Sequence, residues 1–410
     1  MVKTFCSVKK RTSDMTRVVS VAFSRFPREV RTRREVAALV EAGMVVDNIC
    51  LQGEEDLAKE VGKDGSIIYR IKLERKRGTR LRYMLEYWYF VSAAFFCLSW
   101  LHLRHRYRVV LVHNMPDILV FSALLPRLLG ARVILDLHDP MPEIYMTKYG
   151  LSESSLVIRF LKVLERLSIE FAHMVITPNK AFRELFIARG CPPEKIHVVM
   201  NSPQEELFRR SGVAEGGQIK ANRKSFELMY SGYIVEHNGL DVAVRAISLV
   251  RHEIPGIKFR IYGSGNFLEK VAADIEGLGL RDIVTCHGFV TLEEISRAID
   301  NADLGIVPNR RTPFTELNFP QRILEYLCKG KPVIAPRTMG VVDYFDEDTL
   351  CYFEPGNHED LARRILDLWK DPSLGQTLVR RGASVYRGIR WEIQKALLIR
   401  LVEGLQTGKS

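Results

Sequence analysis

Residues 319–335 read FPQRILEYLCKGKPVIA, and this stretch is the most informative part of the chain. Pro320 is a favoured first-turn residue, so a helix is predicted over Gln321–Lys329. Gly330 ends that helix, and the β-branched run Pro332–Ala335 predicts a strand directly after it. The stretch therefore predicts one helix–strand step of an α/β sheet.

Two charged side chains of this helix indicate a binding site. Arg322 and Glu325 are three residues apart and share a face. An arginine in the first turn, beside free backbone N–H groups, can grip a diphosphate, and Glu325 one turn later can hold a diol such as ribose. The alternative is a surface Arg–Glu pair, which contributes little to stability. The residues alone leave both open.

Outward from this stretch, short β-branched runs alternate with amphipathic segments along most of the chain. Such alternation, with continuous apolar strands, is typical of parallel sheets covered on both faces. The predicted strands are Val18–Phe23, Val109–His113, Val133–Leu137, Met174–Thr177, Ile196–Met200, Glu227–Tyr230, Lys258–Tyr262, Ile283–His287, Leu304–Pro308 and Pro332–Ala335. Residues 209–225 contain three glycines and almost no large apolar side chain, so we expect a linker between two α/β blocks of similar size.

Ligands of open α/β sheets bind beyond the carboxyl ends of strands, so the loops there are candidate sites. His138 and Glu143 lie in a proline-fixed turn after one strand. Gly232 and His237 lie in a loop that leads through Gly239 into a helix, where backbone N–H groups can approach a phosphate. Gly263 and Gly265 follow the next strand, and a tight turn explains them equally well.

The charge is positive and uneven. The 410 residues carry 60 basic and 49 acidic side chains, a net +11, and residues 1–108 hold 22 basic and 12 acidic ones, a net +10. This asymmetry indicates an anionic partner for the N-terminal part, either nucleic acid or an acidic membrane surface. No nucleic-acid-binding motif is present, so we expect no nucleic acid partner.

One apolar segment is ambiguous. Tyr87–Leu103 contains no Asp, Glu, Lys or Arg and is followed by the basic run Arg104–Arg108. It fits a short spanning helix, a buried helix of an α/β domain, or a helix whose aromatic face lies in the membrane interface. Seven scattered cysteines without metal-ligand spacing predict a reduced, cytoplasmic protein without structural metal, and the basic N-terminus has no apolar signal core.

Read together, these segments resemble the family-four retaining glycosyltransferases (glycosyl transferases group 1), which have the GT-B fold. The likeness rests on FPQRILEYLCKGKPVIA, IYGSGNF, CHGFV, ADLGIVPN and YFEPGNHEDLARRI, and in the first half on HDPMPE and ITPNKAFRELF. It implies an α/β protein of two Rossmann-like domains facing across a cleft, with a C-terminal helix that crosses back to the first domain. The boundaries expected are 1–208 for the acceptor-side domain, 209–225 for the linker, 226–385 for the nucleotide-sugar domain and 386–410 for the returning helix.

The resemblance also implies residue roles. Glu325 corresponds to the acid that binds the nucleotide ribose, and Arg322 stands where the family has a phosphate-binding cation. Glu316 stands near the acid that contacts the donor sugar, and His138 near the reacting face of that sugar. The remaining candidates line the nucleotide cleft: Gly232, His237, Gly263, Gly265, Phe289 and Val290. No metal ligand and no cofactor are expected beyond the nucleotide-sugar itself, with a UDP-sugar favoured over a GDP-sugar.

Three positions depart from the family pattern. Glu316 is one residue earlier than the family's acid, because Leu317 occupies the usual place. Tyr233 and Asn238 replace two cations of the phosphate loop, so Arg322, His237 or the Arg310–Arg311 pair must balance the diphosphate. The glycine-rich turn after the first strand is replaced by residues 24–28.

The sequence thus predicts a retaining, metal-independent glycosyltransferase that moves a sugar from a nucleotide-sugar to a lipid-linked or glycan acceptor. Contact with the anionic inner face of the cytoplasmic membrane is expected from the N-terminal charge. Two alternatives stay open: a GT-B nucleotide-sugar epimerase, and a catalytically inactive glycosyltransferase-like partner protein.

Overall fold

A computed structural model describes residues 15–73, 80–208 and 225–407, and they form two compact units. The first contains described residues up to 178, residues 182–199 and those from 394 onward, and the second contains residues 179–181 and 200–393. The expected linker, residues 209–225, lies outside the described residues except for its last one.

The first unit is built on an eight-stranded sheet with the order β3-β4-β2-β1-β5-β6-β7-β8. Neighbouring strands are parallel, except that β3 runs antiparallel to β4. The strands are β1 Arg17–Val21, β2 Val45–Leu51, β3 Lys59–Val61, β4 Ile67–Ile71, β5 Val109–His113, β6 Arg132–Asp136, β7 Met174–Thr177 and β8 Ile196–Val198. Because both faces are covered, the central strand β5 is buried along its whole length.

Helices cover that sheet. They are α1 Val30–Glu41, α2 Arg80–His105, a 3-10 helix Asp117–Ala123, α3 Leu124–Leu128, α4 Met141–Tyr149, α5 Leu156–Phe171 and α6 Lys180–Ala188. The ambiguous segment 87–103 lies within α2, which buries Phe90, Ala94 and Leu98 and exposes Trp88 and Phe96. None of the helices in the described part of the chain has the length and hydrophobicity that crossing a bilayer requires.

The second unit contains a six-stranded sheet, parallel throughout, with the order β11-β10-β9-β12-β13-β14. Its strands are β9 Phe226–Ser231, β10 Ile257–Tyr262, β11 Val284–Cys286, β12 Leu304–Ile306, β13 Val333–Pro336 and β14 Cys351–Phe353. Its helices are α7 Glu205–Phe208, a 3-10 helix Glu236–Asn238, α8 Leu240–Val250, α9 Leu268–Gly277, α10 Leu292–Asn301, α11 Arg322–Cys328, α12 Met339–Val342, α13 His358–Lys370 and α14 Pro372–Ile389.

The last helix, α15 Trp391–Thr407, returns to the first unit. Leu398, Val402 and Leu405 are buried there in one cluster with strand residues such as Val18 and Leu111. The crossover that the family resemblance implies is therefore present. It exists because the apolar stripe of α15 completes a core that begins almost 400 residues earlier.

The strands predicted from β-branched runs are present, and β5 and β7 match their predicted bounds. Sequence analysis missed β2, β3, β4 and β14. In β2 the polar residues Asp47 and Asn48 interrupt the apolar pattern. Both are buried, and Asp47 accepts a hydrogen bond from the hydroxyl of Tyr107. Tyr107, which lies 60 positions away in the sequence, thus gives the buried carboxylate of Asp47 a hydrogen-bond partner. This contact cannot be read from the local sequence pattern of β2.

Candidate functional site

Three loops meet at the carboxyl edge of the second sheet. The N–H of Gly232, after β9, donates to the carbonyl of Tyr262 at 2.9 Å, and the N–H of Gly263, after β10, donates to Gly288 at 2.8 Å. The N–H of Ile234 donates to the carbonyl of Ser264 at 2.9 Å, which joins the loop after β9 to the loop after β10 a second time. The loops therefore form one continuous backbone surface.

The glycines of this surface are required by close packing. A Cβ on Gly263 would lie 1.8 Å from the carbonyl oxygen of Gly232, and one on Gly265 would lie 2.0 Å from that of Ile234. Both distances are far below van der Waals contact. Gly263 also has φ +145°, a conformation that other residues rarely adopt. These glycines hold the two loops together, whatever else they line.

Arg322 lies against this surface. Its guanidinium stacks over the ring of Tyr230 at 4.4 Å from the centroid, and a Cβ on Gly232 would be 2.6 Å from its Nη2. Among the described residues no acidic side chain lies within ion-pair distance of it, so the surface Arg322–Glu325 pair is not formed. Its Nη1 is buried without a hydrogen-bond partner. A half-buried guanidinium with an unused donor is suited to an anion.

The other candidate cations are differently placed. Arg310 bonds to Asp241, and Nη1 of Arg311 lies 2.5 Å from Glu316. Burial and the nearby charge of Arg322 lower the pKa of His237, so this imidazole is neutral at pH 7. Of the cations named from the sequence, Arg322 is the one whose charge is left uncompensated by a described acidic group.

The carboxylate of Glu316 already has partners other than Arg322. Besides Arg311, it accepts a hydrogen bond from the N–H of Met339 at 3.2 Å, at the start of α12. None of its contacts is with Arg322. The one-residue offset from the family pattern thus coincides with an ion pair that already occupies this carboxylate.

The residues expected near the base and the ribose lie on neighbouring elements. Phe289 is 85% exposed in the loop after β11, directly after Gly288, and Val290 is half-buried. Glu325 lies one turn after Arg322 on α11 and is half-buried. An exposed phenyl ring beside the glycine surface is available for stacking.

Tyr233 and Asn238, which replace the family's cations, shape the loop instead. The hydroxyl of Tyr230 and the amide of Asn238 both donate to the carbonyl of Tyr233, at 2.7 and 2.9 Å. The side chain of Tyr233 itself is 76% exposed. Hydrogen bonds, rather than charge, therefore fix the loop conformation.

A second cluster surrounds His138 in the first unit. Asp136, the last residue of β6, lies 3.7 Å from Nδ1 of His138 and 2.9 Å from Nδ1 of His113. Arg31 binds both carboxylate oxygens of Asp136, at 2.7 and 2.8 Å. Burial alone would raise the pKa of Asp136, but Arg31, His113 and His138 together more than offset it and hold the pKa well below its usual range.

This carboxylate sets the protonation state of His138. Burial favours the neutral imidazole, but contact with Asp136 outweighs it and raises the pKa of His138 to about 9. His138 is therefore a cation at pH 7. A positively charged imidazole can stabilise negative charge or donate a proton.

The same cluster does not suit a metal ion. Ligand atoms of His113, Asp136 and His138 lie within 4.8 Å of one another. However, both oxygens of Asp136 accept hydrogen bonds from Arg31, and a metal would have to displace or oppose that guanidinium. We interpret the cluster as a buried ion-pair network.

Directly after residues 24–28, which replace the family's glycine-rich turn, a carboxylate side chain occupies the start of α1. The carboxylate of Glu29 caps α1 and accepts hydrogen bonds from the N–H groups of Arg31 and Thr32, at 3.0 and 2.6 Å. The helix N-terminus that could hold a phosphate is thus occupied by a side chain.

Sequence reasoning missed Tyr230, Arg31 and Asp136. Asp136 lies within the predicted strand Val133–Leu137 and ends the observed β6, two residues before His138, so this spacing places both at one sheet edge. Nothing in the sequence pairs Arg31 with Asp136, or Tyr230 with Arg322, because these partners lie far apart in the chain.

Two family models match this chain. Residues 29–202 match the glycosyl transferase 4-like domain, and residues 225–371 match glycosyl transferases group 1. The chain belongs to the group 1 glycosyl transferases.

Several relatives of this chain are named as glycosyltransferases. The amylovoran biosynthesis glycosyltransferase AmsK of Erwinia amylovora is 24% identical over 48% of this chain and 47% of its own length. The D-inositol 3-phosphate glycosyltransferase of Arthrobacter is also 24% identical, over 91% and 83%. The chain spans less than half the length of AmsK and of the colanic acid glycosyltransferases WcaL from Salmonella and Escherichia coli.

Solved structures share the GT-B fold. Sucrose-phosphate synthase from Thermosynechococcus elongatus superposes with a TM-score of 0.76 over 96% of this chain and 100% of that one, at 18% identity. HepE of Anabaena, in complex with UDP-glucose, gives 0.70 over 95% and 99%, at 14% identity. At these identities the likeness establishes the fold.

Proposed function

We propose that this chain transfers a sugar from a nucleotide-sugar, a UDP-sugar before a GDP-sugar, to a lipid-linked or polysaccharide acceptor. The observation that carries the proposal is Arg322, whose charge has no acidic partner among the described residues and whose buried Nη1 has no hydrogen-bond partner. It lies against the Gly232 loop, at the carboxyl edge of the second sheet where ligands of such sheets bind.

In this proposal the protein itself stabilises the leaving group. Negative charge builds on the diphosphate as the sugar–phosphate bond breaks, and a guanidinium placed there beforehand stabilises it without a metal ion. Glu325 holds the ribose, Phe289 and Val290 receive the base, and His138 keeps its role beside the sugar as a prediction. We further propose retention at the anomeric carbon, as in the family-four enzymes that the motifs resemble.

Relatives and neighbours support the substrate class. AmsK and WcaL are named for polysaccharide biosynthesis, and HepE was solved with UDP-glucose. By this analogy we propose a glycan or lipid-linked acceptor and a cytoplasmic location, with peripheral contact to the inner face of the membrane.

A thermal-shift panel of UDP-, GDP- and ADP-sugars tests donor binding. A true donor at a hundred times its dissociation constant should stabilise the protein by about 2.7 kcal/mol, with chelator present or absent. Absence of any shift across the panel, or a shift that requires added metal, would contradict the proposal.

Product analysis tests the reaction type. Donor incubated with a glycan or lipid-linked acceptor should give a product whose anomeric configuration, read by proton NMR, matches that of the donor. An isomerised nucleotide-sugar formed from donor alone would identify an epimerase instead. The relatives named above are all transferases, which favours transfer.

A further inference from the structure

One side of the first unit has an apolar surface with no described partner. On α2, the exposed side chains of Leu85, Tyr89, Phe96, Trp100 and Leu103 follow one another at spacings of four, seven, four and three residues, so they form one straight stripe. At 1.5 Å per residue the stripe is about 27 Å long. The opposite face of α2 is buried in the unit, so packing within the unit does not explain it.

Neighbouring helices extend this stripe into a surface. The 3-10 helix 117–123 contacts both α2 and α5, and α3 contacts α2. On α5, Phe160, Val163 and Leu167 are about half exposed, and on α3 Leu128 is 71% exposed. More than half of the exposed large hydrophobic side chains among the described residues lie on α2, α5 and the α3 segment through Leu129. We call this surface the apolar face.

A cationic pocket adjoins the apolar face. It has a volume of about 660 Å³, and Leu103 and Leu129 of the face are part of its wall. The rest of the wall includes Arg106, Arg108 and Arg132, and it contains no Asp or Glu. The three arginines are exposed and form no ion pair with a described residue. The nearby acid, Asp47, is buried and accepts a hydrogen bond from the hydroxyl of Tyr107.

Backbone geometry singles out Arg106. It ends α2 with φ +52°, in the left-handed region where glycine is the preferred residue. Its N–H donates to the carbonyl of His102 at 2.7 Å, as at a normal helix end. Conformation alone would favour glycine here, so the backbone does not explain the arginine at this position.

Further cations lie along the amino edge of the sheet. β1 and β6 start at Arg17 and Arg132, and β5 and β8 are directly preceded by Arg108 and Lys195. The N–H of Arg108 donates to the carbonyl of Arg17, and the N–H of Arg132 donates to the carbonyl of Arg108, both at 2.9 Å. Burial, together with the charges of Arg127, Arg132 and Lys195, lowers the pKa of His173 to about 4. The sheet edge is therefore positively charged beside the apolar face.

We infer that the apolar face and the arginine pocket dock this chain on an anionic lipid bilayer, with a lipid phosphate in the pocket. Trp and Tyr beside Arg are the side chains that favour the bilayer interface, and Arg104 stacks over Trp100 at 4.0 Å from the ring centroid. Clustered arginines add attraction to anionic headgroups. The inference rests on the proposed peripheral contact and assigns it a surface, but it does not depend on sugar transfer.

Flotation with vesicles of phosphatidylcholine, alone or mixed equally with phosphatidylglycerol, tests the inference. The full chain should float with the mixed vesicles at low salt and dissociate as salt rises. Phe96→Glu/Trp100→Glu should abolish flotation. Arg106→Gln/Arg108→Gln/Arg132→Gln should weaken it about 100-fold. Arg106→Gly should weaken it while Tm stays equal or rises, because glycine suits φ +52°.

Matched controls separate surface chemistry from folding and from total charge. Leu57 is 65% exposed in the first unit outside the apolar face, so Leu57→Glu should float normally. Arg245→Gln/Arg297→Gln/Arg380→Gln removes the same charge from exposed helix positions of the second unit and should also float. Donor-induced thermal shifts should persist in all variants, which distinguishes failed docking from failed donor binding.

Three outcomes would overturn the inference. One is no flotation of the wild type with anionic vesicles. Another is displacement by millimolar inorganic phosphate, which would assign the pocket to a soluble anion. The third is lipid-free self-association that Phe96→Glu/Trp100→Glu disrupts, without vesicle binding, which would make the apolar face a protein interface.

Discussion

Arg322 lies between an aromatic ring and a glycine, and both neighbours affect what its guanidinium can bind. Tyr230 lies under its planar guanidinium, and Gly232 has no Cβ that would collide with it. The ring orients the planar fork, while the missing Cβ leaves the space that the guanidinium itself occupies. Lysine cannot reproduce this arrangement, because an ammonium does not stack flat or donate as a fork.

Removing this guanidinium should therefore impair catalysis. We expect Arg322→Ala to lower kcat/KM by about 2–4 kcal/mol of transition-state stabilisation, and Arg322→Lys to recover part of that loss. Steady-state kinetics with the donor identified by thermal shift measure both. Arg297→Ala, at an exposed position of α10, is the control and should leave kcat/KM unchanged. Wild-type turnover in Arg322→Ala would remove the assignment.

His138 gives the first unit a dependence on pH. Its pKa is raised from the ordinary 6.5 to about 9, so folding stabilises the protonated form. The contribution is fully present below pH 6.5 and is lost as the pH rises through about 9. Acidic conditions therefore preserve the Asp136–His138 interaction, and alkaline conditions remove it.

We expect His138→Gln to be less stable than the wild type at pH 6, with the difference shrinking to near zero above pH 9. Urea unfolding at several pH values, followed by a signal from the first unit, measures this difference. His252→Gln, at an exposed position of the second unit, is the control and should change the stability little. A difference in unfolding free energy between the wild type and His138→Gln that is constant or grows with pH would contradict the raised pKa of His138.

At the scale of elements, the glycine loops depend on each other. The loop after β9 and the loop after β10 pack backbone to backbone, because Gly263 and Gly265 have no Cβ. The same positions that resemble a nucleotide-binding pattern are thus required by packing alone. Sequence analysis left both explanations open, and the structure shows that the packing requirement is real.

Gly265→Ala should push the two loops apart. Its Cβ would lie 2.0 Å from a backbone carbonyl, so we expect a loss of about 1–3 kcal/mol in unfolding free energy together with weaker donor binding. Denaturant unfolding and donor titration measure the two effects. Gly277→Ala, at the end of α9 where a Cβ meets nothing within 4 Å, should be neutral or stabilising by up to about 1 kcal/mol. Equal behaviour of the two variants would show that the loops can separate freely.

At the scale of the whole molecule, the chain ends in the unit where it begins. Leu398 is fully buried and packs in the cluster that contains Val18 and Leu111. The second unit is thus inserted in sequence between parts of the first unit. The folding of the first unit therefore requires residues that lie on both sides of the second unit in the sequence.

We expect Leu398→Ala to destabilise the first unit by about 2–5 kcal/mol and to leave the second unit unchanged. Hydrogen exchange read by mass spectrometry should show lost protection in β1 and β5 but not in β9 and β10. Ile393→Ala, at a 40% exposed position of the same helix, is the matched control. Loss of protection in the second sheet instead would refute the assignment of α15.

The sequence by itself determined the α/β class, most strands of both sheets, the helix Arg322–Cys328 and the likeness to the group 1 glycosyl transferases. These depend on local periodicity, turn residues and short motifs, which a single segment contains in full. Only the tertiary structure decided that Arg322 stacks on Tyr230, that Arg31 and His138 share Asp136, and that arginines next to the end of α2 and the starts of β5 and β6 line one pocket. These groups join separate elements of the chain, and their geometry follows from strand order and register, which local patterns do not encode.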